Sequence, residues 1–113
     1  MESILTSVKK DLGIAEEYEV FDPDIIRNIN SVFTVLTQLG VGPPEGFRIS
    51  DKSSSWKEFV DDMRLEAVKT YMFLRVKLLF DPPLNSNVLA SYKEQIKEFE
   101  WRLNLTAETS DSY

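Results

Sequence analysis

The chain has 113 residues, 42% hydrophobic and 12% aromatic, enough for a packed core and too apolar for whole-chain disorder. It contains neither Cys nor His, so a disulfide, a thiol nucleophile, the commonest zinc ligands and the most frequent general base are all excluded. The net charge of −6 gathers at the ends: residues 1–20 carry −3, 21–40 carry −1, 41–105 sum to zero and 106–113 carry −2. No basic patch of the kind that binds nucleic acid follows from that balance.

The first helix is predicted over residues 3–12, where Ile4, Leu5, Val8 and Leu12 recur at helical spacing and Gly13 marks a stop. Lys9 and Lys10 fall in its last turn, where the helix dipole favours cations. Residues 14–21 read as an acidic connector anchored by Tyr18 and Phe21. The second helix opens on Asp22 as N-cap, with Pro23 at the first helical position and Asp24 as a favourable anion. Its apolar stripe runs through Ile25, Ile29, Val32, Phe33 and Leu36 to Leu39, and Gly40 ends it.

Residues 40–55 form a long loop with three Gly, two Pro and several Ser, and loops of that length often carry function. Ser55-Trp56-Lys57-Glu58 is a capping-box pattern that opens the longest helical run, to Phe80, with a break near Asp61-Asp62 as the alternative. The run is apolar over more than one face, so it is either central or meets a neighbouring subunit. Asp81-Pro82-Pro83 must stop it, and Asn85 or Ser86 can cap the next helix. There Leu89, Tyr92, Ile96, Phe99 and Leu103 step by 3, 4, 3 and 4 as a heptad seam, while Trp101 lies off it as an exposed anchor. Thr106 to Tyr113 reads as a flexible acidic tail. The expected fold is an all-α bundle of four main helices, with a domain over 1–105 and the tail over 106–113.

No motif announces chemistry. Asp61 and Asp62 point about 100° apart on a helix, and Glu94 and Glu98 are flanked by Lys93 and Lys97 as on a solvated face. The Gly-rich loop lacks the Lys-Ser/Thr of a phosphate loop. Met63 and Met72 among aromatic residues read as packing, because no His or Cys is available to hold a metal. Lys57, Lys69, Arg75 and Lys77 are interleaved with acids. No enzyme, cofactor or metal is expected. No apolar run approaches the ~20 residues that span a bilayer, and no signal peptide is recognised, so a soluble protein is expected.

Several pieces occur in a telling order. They are Ile4-Leu5-Thr6-Ser7-Val8-Lys9-Lys10-Asp11-Leu12-Gly13-Ile14, then Phe21-Asp22-Pro23-Asp24-Ile25-Ile26 and Leu39-Gly40-Val41-Gly42. Trp56-Lys57-Glu58-Phe59, Tyr71 to Leu79, Phe80-Asp81-Pro82-Pro83, Tyr92 and Glu100-Trp101-Arg102-Leu103-Asn104 complete the set. In this order the chain resembles, over roughly residues 4–105, the head-tail connector (adaptor) proteins of tailed bacteriophages. The resemblance implies an all-helical structural protein of the virion neck, assembled in the host cytoplasm. It implies a closed ring of about twelve copies below the portal, extending the DNA channel towards a tail-side completion or terminator protein. DNA would pass without sequence-specific binding.

On that implied role, Trp101, Arg102, Asn104 and Tyr113 are expected at the portal contact. Phe47, Arg48 and Ile49 are expected at the channel or a neighbouring ring, and Tyr71, Arg75 and Leu78 at a subunit interface. Two other readings stay open: an acidic DNA-mimic inhibitor, which needs a dense carboxylate face, and a helical interaction module of another complex.

Overall fold

A computed structural model describes residues 2–111, with side chains through residue 107. Its described residues form five helices: α1 (Ile4–Asp11), α2 (Asp22–Gln38), α3 (Trp56–Phe59), α4 (Leu65–Phe80) and α5 (Ser86–Asp111). The fold is all-α, and among the described residues no helix is long and apolar enough to cross a membrane.

Helix α1 starts where Ser3 Oγ accepts from the Thr6 N–H at 3.2 Å, and it buries Ile4, Leu5 and Val8. Helix α2 begins one residue earlier than its composition predicts: Phe21 is the capping residue, without a side-chain cap bond, and Asp22 is already helical. The Asp22 carboxylate is engaged elsewhere, by Lys9, and so is not available as a cap. At the far end of α2 the chain reverses through Gly40 at φ +86°, with Val41 N–H bonded back to Leu36 O at 2.9 Å. Gly42, also at positive φ, lies so close to the Phe59 ring that no Cβ fits there.

The long loop is well anchored. The Asn30 amide, on α2, donates to Ile49 O at 3.0 Å and accepts from Ile49 N–H at 2.8 Å, copying one rung of a sheet. Further on, Ser3 and Ser55 pair as an isolated antiparallel bridge, with Ile4 N–H bonded to Ser54 O at 3.0 Å. Ile49 is thereby carried into the core, and Phe47 packs edge-on to Phe33 at 5.0 Å.

The capping box at Ser55 forms, with Ser55 N–H donating to Glu58 Oε2 at 2.6 Å, but the helix it opens has four residues. Of the two sequence-based alternatives, the break near Asp61-Asp62 is the one observed. Val60 turns extended (φ −150°, ψ 136°) and buries its side chain. Asp62 Oδ1 then accepts from Arg64 N–H at 2.8 Å, giving the backbone an alternative to the helix ladder. Met63, counted on sequence grounds into the apolar arc, is 98% exposed in this break.

Helix α4 is central. It packs on α1, α2 and α5, which cover most of the wide apolar arc, while Leu79 near its C-terminal end stays 54% exposed. The Asp81–Asn85 elbow follows, and Asn85 Oδ1 caps α5 by accepting from the N–H groups of Asn87 (2.8 Å) and Val88 (3.2 Å). Ile96 and Leu103 of the heptad seam are buried, with Tyr92 and Phe99 partly so. Helix α5 continues past residue 105 to Asp111, where the sequence reading placed a flexible tail. Ala107 is buried, beside Gly40, and no Gly or Pro interrupts the segment.

Candidate partner-binding surfaces

The core takes up most of the apolar side chains, so those left outside define the surfaces available to partners. At the C-terminal end of α2, Asn104 Nδ2 donates to Leu39 O at 3.2 Å and ties α5 to that helix end. Trp101, just under one turn earlier, stands 66% exposed. Arg102 pairs with Glu98 at 2.6 Å across one turn and is also exposed. Of the residues expected at the portal contact, Trp101 and Arg102 therefore offer surface, while Asn104 is committed to an internal bond. Tyr113 lies outside the described residues.

The loop expectation changes more. Ile49 is fully buried and structural, whereas Phe47 is only partly buried: it packs with Phe33 and Phe59 and also faces a groove. Asn30 is the cause, since it pulls the Ile49 backbone onto α2. Arg48 alone of the three is exposed. It borders a groove of about 680 Å³ between α2 and the loop, walled by Ile26 and Phe47 and bordered by Arg27 and Glu45.

The expected subunit interface narrows in the same way. Tyr71 is fully buried, and its hydroxyl donates to Glu100 Oε2 at 2.7 Å. Arg75 Nη1 sits 3.5 Å from the same oxygen, and its guanidinium lies 5.9 Å from the Tyr71 ring centre. Burial first, then the bond to Glu100, holds the Tyr71 proton more tightly than in a free phenol. Tyr71 and Arg75 thus form a joint between α4 and α5 through Glu100, and Leu78 is partly buried against the core.

A second surface escaped the sequence reading. Tyr18 and Phe21 anchor only in part: the Phe21 ring meets Phe80 edge-on at 5.4 Å and Tyr18 at 5.7 Å, yet Tyr18 remains 49% exposed and Val20 67%. Lys9 holds this connector from beneath. The residue is 2% exposed, and its ammonium donates to Glu16 O and Tyr18 O at 2.8 Å each and meets Asp22 Oδ1 at 2.9 Å. That last contact is an ion pair off the hydrogen-bond axis, which leaves Asp22 Oδ1 without a true donor. The sequence signal was the alternation of Glu16, Glu17 and Glu19 with apolar residues, which suits a rim around an exposed patch better than a buried anchor.

Carboxylates do gather at one place. Glu2, Asp11 and Glu66 border a shallow groove of about 390 Å³ around Lys69, whose ammonium lies 2.5 Å from Glu2 and 3.9 Å from Glu66. The bond to Glu2 raises the proton affinity of Lys69, and burial raises that of Asp11. The cation offsets part of the cluster's charge and clasps the N-terminus to α4 through Glu2. Among the described residues no group of acids is arranged to hold a metal.

Among known families, that described as phage connector protein matches the chain over residues 4–110. No curated protein and no solved structure matches the chain.

Proposed function

Because the chain belongs to the phage connector protein family, and so to the structural components of the virion, we propose that it is the head-tail connector itself. In this reading about twelve copies close into a ring below the portal, extend the DNA channel and present a surface to a tail-side completion or terminator protein. The role is mechanical, without a catalytic step or cofactor.

One observation carries the proposal: exposed apolar side chains sit at both ends of α2. Trp101 lies beside the C-terminal end, and Tyr18 with Val20 lies beside the N-terminal end. Seventeen helical residues separate the two ends by about 25 Å. A protein that joins two different neighbours needs two such places.

The end of α5 is assigned to the portal, with Trp101 as anchor and Arg102 beside it. Asn104 sets the angle of that end through Leu39, and the segment after 105, Tyr113 included, docks with it. Residues 1–105 form the body. Arg48 carries the loop's outward contact on behalf of Phe47 and Ile49. Arg75 and Leu78, backed by Tyr71, keep the α4–α5 joint stiff where copies adjoin. The net charge of −6, with a neutral middle, supports a channel that repels phosphate and lets DNA slide.

A phage lacking this chain is expected to accumulate heads and tails that do not join. Joined particles at normal yield would refute the proposal.

A further inference from the structure

We propose that the acidic connector of one copy, residues 16–20, seats in the arginine-bordered groove of the next, so that copies join head to tail through two unlike faces. The inference rests on the connector reading, which supplies the many-copy assembly, and adds which faces meet.

The two faces are complementary in charge. Glu16, Glu17 and Glu19 enter no ion pair among the described residues, although their segment carries three acids in four positions. Across the groove, Arg48 likewise has no acidic partner, and the Arg27 side chain is 78% exposed with Asp24 only at 3.9 Å. The connector thus presents three acids, with Lys52 as the exposed cation bordering them, and the groove presents two arginines, so the balance of charge on the two faces is opposite. Glu45, also on the groove's border, is the one opposing charge there.

The shapes also fit. The connector projects Tyr18 and Val20 outward while Lys9 grips its backbone carbonyls from inside, so little ordering cost remains on binding. The groove offers about 680 Å³ between the apolar walls of Ile26 and Phe47, room for an aromatic ring and a neighbouring aliphatic side chain. The groove runs along α2 from Pro23 to Thr34, and Ser31, towards its far end, lies about 13 Å beyond the start of α2, where the chain's own connector is held, so that part is left for another copy. Contacts between two unlike faces propagate from copy to copy and close into a ring when the rotation permits.

The absence of native cysteine gives a clean test. The chain carrying both Val20→Cys and Ser31→Cys is oxidised at high concentration, free and with portal present. A ladder of covalent dimers, trimers and higher forms is expected. Either variant alone gives no more than background, and a mixture of the two single variants stops at the dimer. Adding Arg27→Glu and Arg48→Glu to the double-cysteine chain should cut cross-linking about tenfold, through like-charge repulsion, and further adding Glu17→Arg and Glu19→Arg should restore it.

All four substituted positions outside the cysteines are surface positions, and unchanged circular dichroism checks the fold. No ladder from the double variant, or a dimer from one single variant alone, overturns the inference. If rings still form on the portal in either case, the connector reading stands and only this pairing of faces falls. A ladder in a chain that never decorates the portal would mean the opposite.

Discussion

Lys9 shows how one residue links the local fold to the outer surface. Its charge is taken out of water and balanced by two carbonyls and Asp22, and these bonds order the 14–21 connector over α1. Replacing it with Met keeps the stem but leaves Asp22 half-buried without its cation and two carbonyls without donors. Lys9→Met is expected to cost about 3 kcal/mol of stability, measured by urea unfolding. Tyr71 gives a second test. The folded chain holds its phenol proton, whereas the unfolded chain releases it near pH 10. The stability this residue adds is therefore complete below about pH 10 and falls as pH rises beyond it. Tyr71→Phe should make the alkaline slope of stability shallower, and should lose about 1.5–3 kcal/mol at pH 7 with the bond to the charged Glu100. Neither role was visible in the sequence, where Lys9 read as a last-turn cation and Tyr71 was expected at a subunit interface. Both depend on a partner far along the chain or on the path of a loop, which periodicity does not encode.

At the scale of elements, the helices with strong local punctuation were legible. Gly13, Gly40 and the two prolines after Asp81 each end a helix where the composition says they must, and Asn85 caps the next one. Asn85→Ala should cost about 1 kcal/mol in thermal unfolding, because two N–H groups of α5 lose their acceptor. The region from Trp56 to Phe80 was harder. Its apolar spacing continues through Val60 and Met63, so the pattern alone reads as one helix. The interruption comes from the Asp62 side chain bonding the Arg64 N–H and from Val60 turning into the core, which are tertiary choices. The wide apolar arc of α4 was also ambiguous between a central helix and a subunit face. Packing by α1, α2 and α5 makes it central, with Leu79 left half exposed near its end and further apolar surface at the ends of α2 and on α5. The candidate surface was only partly legible for the same reason. Trp101 stood out by leaving the heptad seam, whereas Val20 sat in a connector without any period to leave.

At the scale of the whole molecule, the folded chain is a flat body with extents of 44 × 35 × 19 Å. It hides a continuous core and still leaves Trp101, Val20, Leu79 and Leu84 in solvent. Lone exposed side chains such as Met63 and Leu84 are ordinary, but Trp101 and Val20 stand near opposite ends of α2, with Glu16, Glu17 and Glu19 beside Val20. This arrangement favours a part that is held between others, in keeping with membership of the connector family. The most direct test is electron microscopy of the portal with and without a saturating excess of this protein. The account predicts a closed ring of added density on the tail-facing side of the portal, lost with Trp101→Ala in an otherwise stable chain. Portal particles that look the same with and without the protein would contradict it.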